Sequence, residues 1–303
     1  MSNKQIQSIE RYLEDFGNKG YNPKDWRKYL AKCINLKENY IYSKDFKNAN
    51  VCLLLESVIH IHHKYLKSYK LIAKDQQEKA WSLIIDIENL IDRIKPYLLK
   101  EFSKYKIDII EDKNKKIQTL FPYTHFFSTG FSVKSYKCSI CGETISMRNR
   151  CKHKTGHIYN GRWCVWKAVD MTNFDHVAIV ENPKDKRCII TNFEGNRLNF
   201  SIVNALINNI NKPYLNWDLK WSKLRHPHKF FKDVKESDTC PCGSGLTYND
   251  CCMKESGVLR PHVDFDFGEG FCTKSKAVKY CYSKPKLPKK EKEHVMSGVI
   301  LAN

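Results

Sequence analysis

The chain is 303 residues long and carries 52 Lys and Arg against 33 Asp and Glu, a formal net charge of +19. That length can bury a sizeable core and predicts two or three domains. No run of eighteen apolar residues occurs and Met1-Ser2-Asn3-Lys4-Gln5 opens no signal peptide, so the expectation is a cytoplasmic protein, neither exported nor membrane-bound.

Residues 1–120 read as helical. Ile6, Ile9, Leu13 and Phe16 fall on one face of a first helix. Asn22-Pro23 opens a second helix through Trp26, Leu30 and Cys33, with proline at the first helical position. A long apolar-periodic stretch runs from about Asp45 to Lys70. Asp75 with Glu78 resembles a capping box, followed at helical spacing by Trp81, Ile84, Ile85, Glu88, Ile91 and Ile94. Pro96 should end or kink that helix. The sum is an antiparallel helical bundle. The charged run Glu111–Lys116 reads as a linker or exposed turn.

Residues 121–230 change character. Phe121–Phe131 is aromatic and turn-rich. Cys138-Ser139-Ile140-Cys141-Gly142 then has the spacing of a zinc-ribbon turn, and Cys151-Lys152-His153 follows. C-x2-C-x9-C-x-H supplies three thiolates and an imidazole, a permitted structural zinc set. His157 and Cys164 lie close behind, and either could replace one ligand. A redox pair at Cys138 and Cys141 is the weaker reading, because no strand–helix context for a thioredoxin-like motif surrounds it.

The pattern continues as Cys151-x-His153-x2-Gly156-x2-Tyr159-x-Gly161-x2-Cys164. A strand-like run His176–Val180, the turn Asn182–Asp185 and the return Arg187–Ile190 suggest a hairpin. This arrangement is similar to small zinc-ribbon segments of some bacteriophage virion and head-maturation proteins, and implies a phage or anti-phage context.

Net charge is +7 over residues 1–120, +10 over 121–230 and +2 over 231–303. The middle region is the basic one, and a field of that sign attracts polyanions. Arg148, Arg150, Lys152, Lys154 and Arg162 cluster on the ribbon as candidate RNA or DNA contacts. Lys134, Lys137 and Lys167 lie nearby, and Tyr136, Tyr159, Trp163 and Trp166 are aromatics that could stack on bases. A solvated, lysine-rich surface is the plainer alternative.

Phe200–Ile210 reads as one short helix, and Trp217 and Trp221 as core aromatics. His226-Pro227-His228 to Asp238 leads into Thr239-Cys240-Pro241-Cys242-Gly243-Ser244-Gly245-Leu246-Thr247-Tyr248-Asn249-Asp250-Cys251-Cys252. Two cysteines one residue apart, then eight residues, then an adjacent pair, put four thiolates within reach of one tetrahedral ion. Soft thiolates in that number select zinc. The glycines and Ser244 permit the tight reversal, and so short a knuckle needs metal to fold.

Cys240, Pro241, Cys242, Gly243, Ser244, Gly245, Tyr248, Cys251 and Cys252 make this stretch resemble a SEC-C motif, named for the zinc-binding tail of the bacterial preprotein-translocase motor. The resemblance implies zinc binding and docking onto a protein partner, such as an export chaperone, or onto the ribosome. Leu246, Thr247 and Asn249 stand where lysines are usual in that family, which weakens docking onto an acidic surface. After Met253 the pattern fades, and Lys284–Glu293 reads as a disordered, proline-broken basic tail.

Thirteen cysteines at such spacings favour reduced, metal-holding thiols over a disulfide framework. Outside the two sets, Cys33, Cys52, Cys164, Cys188, Cys272 and Cys281 read as buried small hydrophobes or inert surface thiols.

Catalytic motifs are missing: no Walker A loop, G-x-S-x-G, H-E-x-x-H or dinucleotide fingerprint occurs. Glu56, His60 and His63 share a helical face, but the apolar residues around them favour a buried or interfacial role. Arg148-x4-His153 has the spacing of the helical HEPN ribonuclease motif, yet it falls in the ribbon and its histidine is already a ligand. Both metal sets are full, which argues for structural zinc.

The expected architecture is α+β and multidomain. It comprises a helical bundle (1–120), a basic zinc-ribbon α+β domain (121–230), a SEC-C knuckle (238–256) and an extended, partly disordered tail (257–303). The expected function is recognition of a protein, ribosome or nucleic acid, leaning away from enzymatic activity. The bundle would oligomerise or carry an effector function. The alternative is a nuclease or toxin of an anti-phage system, with its site in the helical domain.

Overall fold

The computed structural model describes residues 2–16, 23–193, 196–210, 213–214, 217–268, 280–281 and 299–301. The fold is α+β. The chain divides into two compact units, one of residues 1–118, 125–190 and 295–303, the other of residues 119–124 and 191–294. Among the described residues, no helix is long and apolar enough to cross a membrane.

The first unit opens with helices α1 (Ser2–Asp15), α2 (Pro23–Tyr42), α3 (Phe46–Ile72), α4 (Gln77–Leu98) and α5 (Ile107–Gln118). Helix α3 is the axis. Its apolar residues run all round it, from Leu53, Leu54 and Leu55 to Val58, Ile59 and Ile61, so it can be stable only when surrounded. The other four helices pack against it. Asp45 caps it, its carboxylate accepting the Asn48 N–H at 3.2 Å.

Two local expectations are corrected here. Asp75 does not cap α4: the N-cap is Gln76, which makes no side-chain cap bond. Asp75 instead adopts a left-handed φ of 55° and helps close α3, its N–H reaching the Ile72 carbonyl at 3.0 Å. The charged run Glu111–Lys116 is not a linker; it lies inside α5. Ile107, Ile110, Asn114 and Ile117 fall on one buried helical face, and Glu111–Lys115 and Asp112–Lys116 are supporting i,i+4 pairs. Asn114 donates to the Ile84 carbonyl inside the bundle at 2.9 Å, while its Oδ1 is buried without a partner. Pro96 sits in the last turn of α4, which passes into a 3-10 turn at Leu99–Glu101.

The rest of this unit is a long ribbon of two strands, β1 (Phe126–Cys138) and β5 (Trp166–Val180), with the short β2 (Thr144–Ile145), β3 (Ile158–Tyr159) and β4 (Arg162–Trp163) between them. Strands β1 and β5 pair antiparallel from Phe126↔Val180 to Cys138↔Trp166, with register shifts between Gly130 and Tyr136. The stretch Phe126–Phe131 expected to be turn-rich is therefore strand. The expected hairpin is also revised: the return segment bridges β1 at Phe126↔Ile189, and the Phe127 N–H reaches the Cys188 carbonyl at 2.8 Å.

The second unit holds β6 (Asn192–Phe193), β7 (Asn196–Arg197), α6 (Ser201–Asn209), β8 (Asp218–His226), β9 (Val258–Asp266) and β10 (Tyr280–Cys281). Strands β8 and β9 pair from Asp218↔Asp266 to His226↔Val258, and β10 joins the other side of β9. Strand β9 occupies sequence where the pattern fades. A last strand, β11 (Val299–Leu301), pairs parallel with β5 in the first unit. Trp217 is buried as expected, and Phe121, Tyr123 and Phe200 form an aromatic cluster. The expected tail Lys284–Glu293 lies outside the described residues.

His62 gives the bundle a pH dependence. It is fully buried in α3, its Nε2 donating to the Tyr105 carbonyl at 2.9 Å, and burial holds its pKa down at about 4. The unfolded chain takes up that proton near pH 6.5. His62 therefore contributes stability that is complete above about pH 6.5 and is lost as pH falls toward about 4. At about 1.4 kcal/mol per tenfold, the loss approaches ~3 kcal/mol. The urea stability of the wild type relative to His62→Gln is expected to fall by that amount between about pH 7.5 and about pH 4.

Candidate metal centres

Among the described residues, two groups of side chains could hold a metal ion: Cys138, Cys141, Cys151 and His153 in the first unit, and Cys240, Cys242, Cys251 and Cys252 in the second. Within each group the ligand atoms all lie within 4.8 Å of one another. These are the two sets expected from spacing.

In the ribbon, β1 ends at Cys138 and the chain turns back on itself. The Gly142 N–H donates to the Cys138 carbonyl at 2.9 Å, with Gly142 at φ 76°. That left-handed turn, cheap for glycine, aims Cys141 back at Cys138. Burial opposes ionisation of Cys138, but the N–H groups of Cys141 and Ile140 outweigh it and hold the thiol down at about 6. His153 contributes a buried Nδ1 with no hydrogen-bond partner. A buried polar atom left bare is costly, and a metal beside the three thiols would satisfy it. The residues thus fit a thiolate-seeking divalent ion.

Cys164 also lies here, its Sγ 3.9 Å from that of Cys138 and only 1 % exposed. His157 does not join: its Nδ1 lies 3.4 Å from the Tyr97 hydroxyl on α4.

The ribbon is seated on the helices. Asn160 and Gly161, with φ 51° and 71°, form the two-residue turn between β3 and β4. The Gly161 N–H donates to Asn50 Oδ1 at 2.7 Å. A Cβ at Gly161 would meet Ala49 Cβ and Ile41 Cδ1 at 3.0 Å, so only glycine lets the turn approach α2 and α3 this closely.

The aromatics take part in packing the ribbon. Tyr136, Tyr159 and Trp166 pack against the buried Cys138, Ile145 and Cys164. The Trp163 ring lies under Arg93 at 5.4 Å and edge-on to Tyr97 at 6.0 Å. By contrast Arg148, Arg150, Lys152, Lys154 and Arg162 are all exposed.

The second centre begins with a bridge, Thr239↔Thr247, and a bond from the Cys240 N–H to the Leu246 carbonyl at 2.8 Å. Gly243, at φ 81°, donates to the Cys240 carbonyl at 3.0 Å, a turn one residue tighter than that of the ribbon site but likewise closed by a left-handed glycine. The Cys242 and Cys251 sulfurs are 3.5 Å apart and those of Cys251 and Cys252 3.9 Å. Burial pushes the Cys240 thiol up to about 12, whereas the Ser244 hydroxyl and neighbouring thiols overcome burial at Cys242 and hold it at about 6. Bringing four such sulfurs together needs a cation to offset their charge.

Sequence reading missed how the knuckle is fastened. Tyr248 is buried, and its hydroxyl lies 2.6 Å from His228 Nδ1. His228 Nε2 donates to the Glu255 carbonyl at 2.8 Å, so Nδ1 accepts from Tyr248. Arg260, on β9, donates to the Pro241 carbonyl at 2.8 Å. Val258, Phe231 and Val234 give the knuckle the apolar backing its own sequence lacks. The signal available was His226-Pro227-His228, but nothing in its spacing names Tyr248 as its partner.

The shared face of Glu56, His60 and His63 is given over to other contacts. Glu56 pairs with Lys37 at 2.6 Å, and His63 stacks on Trp26 at 3.8 Å. Cys33 and Cys52 are buried in the bundle and Cys188 is exposed, as expected of structural or surface thiols. Cys272 lies outside the described residues.

The reduced full chain is expected to hold about two equivalents of divalent metal. Cys240→Ser with Cys242→Ser should leave about one, and Cys138→Ser with Cys141→Ser should leave the other one. Metal analysis after gel filtration checks both. Residues 237–254 match the family model of the SEC-C motif, and no curated protein or solved structure matches the chain.

Proposed function

We propose that this is a zinc-binding protein of the cytoplasm that holds a macromolecular partner, with both zincs structural. Each centre already offers four protein donors, which favours a folded platform over hydrolytic chemistry at an open position. The observation that carries the reading lies on the ribbon. Arg148, Arg150, Lys152, Lys154 and Arg162 are exposed around its centre, and no carboxylate among the described residues pairs with any of them. Five unpaired cations on one cluster of loops suit the phosphates of RNA or DNA.

The knuckle suits a different grip. Its exposed Leu246 and Met253 present apolar surface, which favours a protein partner. The proposal includes a setting in phage–host conflict, which rests on sequence pattern alone.

Replacing the five cations with Gln is expected to weaken binding to single-stranded RNA at about 0.1 M salt. It should also flatten the dependence of affinity on salt, by roughly 0.7 in log–log slope for each phosphate no longer neutralised. Fluorescence anisotropy across a salt series reads this, and an unchanged slope would sink the ribbon as the binding surface. An affinity pull-down, with and without nuclease, separates the two grips. A protein that survives nuclease and is lost with Cys240→Ser, Cys242→Ser marks the knuckle. Degradation of RNA or DNA by the chain would instead favour an effector activity in the helices.

A further inference from the structure

The ribbon centre has more donors than a tetrahedral ion can use. Cys138, Cys141 and Cys151 are three, His153 is a fourth and Cys164 a fifth. We infer that Cys164 is the fourth ligand of the ribbon's metal, and that His153 stands beside the site and hydrogen-bonds to the thiolates. The inference rests on the metal-binding reading above.

The distance to Cys138 supports it first. Zinc about 2.3 Å from each of four sulfurs sets the sulfurs about 3.8 Å apart. The Cys164 and Cys138 sulfurs are 3.9 Å apart. The knuckle's sulfurs show the same scale, 3.5 and 3.9 Å.

Preorganisation supports it next. Cys164 follows the tight β3–β4 turn, and its backbone is tied on both sides. Its N–H donates to the His157 carbonyl at 2.8 Å, and its carbonyl accepts from Gly156 at 2.9 Å. It forms one buried core with Cys138 and Ile145. A donor already fixed in place loses little freedom on binding. His153 is only half-buried, in the loop after Cys151, with its ring edge-on to Tyr159 at 4.6 Å.

Charge supports it last. Four thiolates around a divalent ion leave the site about one charge more negative than three thiolates and an imidazole. The backbone N–H groups of Cys141 and Ile140 already favour the thiolate of Cys138. A ring nitrogen of His153 lies within 4.8 Å of the three thiols, and its Nδ1 makes no hydrogen bond, so it is free to turn an N–H toward sulfur once the metal is held by Cys164. Such an outer hydrogen bond holds thiolate charge in place.

The test is X-ray absorption at the zinc edge on the wild-type full chain loaded with two zincs, so it does not depend on any variant folding. The expected result is an all-sulfur shell with no imidazole scattering. Cys164→Ser should then gain a nitrogen as His153 moves into the vacant position, while His153→Ala should keep both zincs and the all-sulfur spectrum. Imidazole scattering in the wild type, seven sulfurs and one nitrogen shared over two ions, would overturn the assignment in favour of His153. A wild-type chain that binds only the knuckle's zinc, or none, would instead defeat the metal reading of the ribbon on which the inference stands.

Discussion

Sulfur crowding is the constraint on which both cysteine centres depend. Each centre gathers thiols whose ionised forms repel one another, in segments with few apolar residues of their own. Buried without a cation, such a group drives some thiols up, as at Cys240, and leaves others low, as at Cys138 and Cys242. A divalent ion turns that repulsion into the bond that closes the loop. The two left-handed glycines, Gly142 and Gly243, bring the backbone into position; neither supplies enough energy to hold it there.

Each centre is then fastened to something larger within its own unit. The ribbon places the Asn160–Gly161 turn against α2 and α3, and its Trp163 against Arg93 and Tyr97 of α4. The knuckle leans on Val258 and Arg260 of β9 and on the His228–Tyr248 bond. A platform anchored in this way can present exposed side chains at fixed spacing. That matters for a binding surface, because ordering long Lys and Arg chains on contact costs affinity.

What sequence could show was local. Helix α3, the proline start of α2, the helix after Phe200 and both metal sets are written in spacings of a few residues. What it hid was long-range. Strand β1 finds β5 some thirty residues away, and β8 finds β9 across the whole knuckle, partners that no local period names. The run Glu111–Lys116 misled because charge was read before periodicity. Ile110 and Ile117 lie seven apart on one helical face, and the charges between them are the outer surface of the same helix. Cys164 was visible only as a possible substitute. Its nearness to Cys138 depends on a turn whose docking onto Asn50 is a tertiary fact.

Charge and metal belong to one argument on the ribbon. A thiolate centre is itself anionic, and cations placed around it are partly spent on holding it. Cys138, at about 6, loses its proton readily even without the ion, through the N–H groups of Cys141 and Ile140. The backbone therefore carries part of the thiolate's charge, and side chains at the rim need carry less. Arg148, Arg150, Lys152, Lys154 and Arg162 project into solvent with no carboxylate partner among the described residues. The field of such exposed charges reaches only about 8–10 Å at physiological salt.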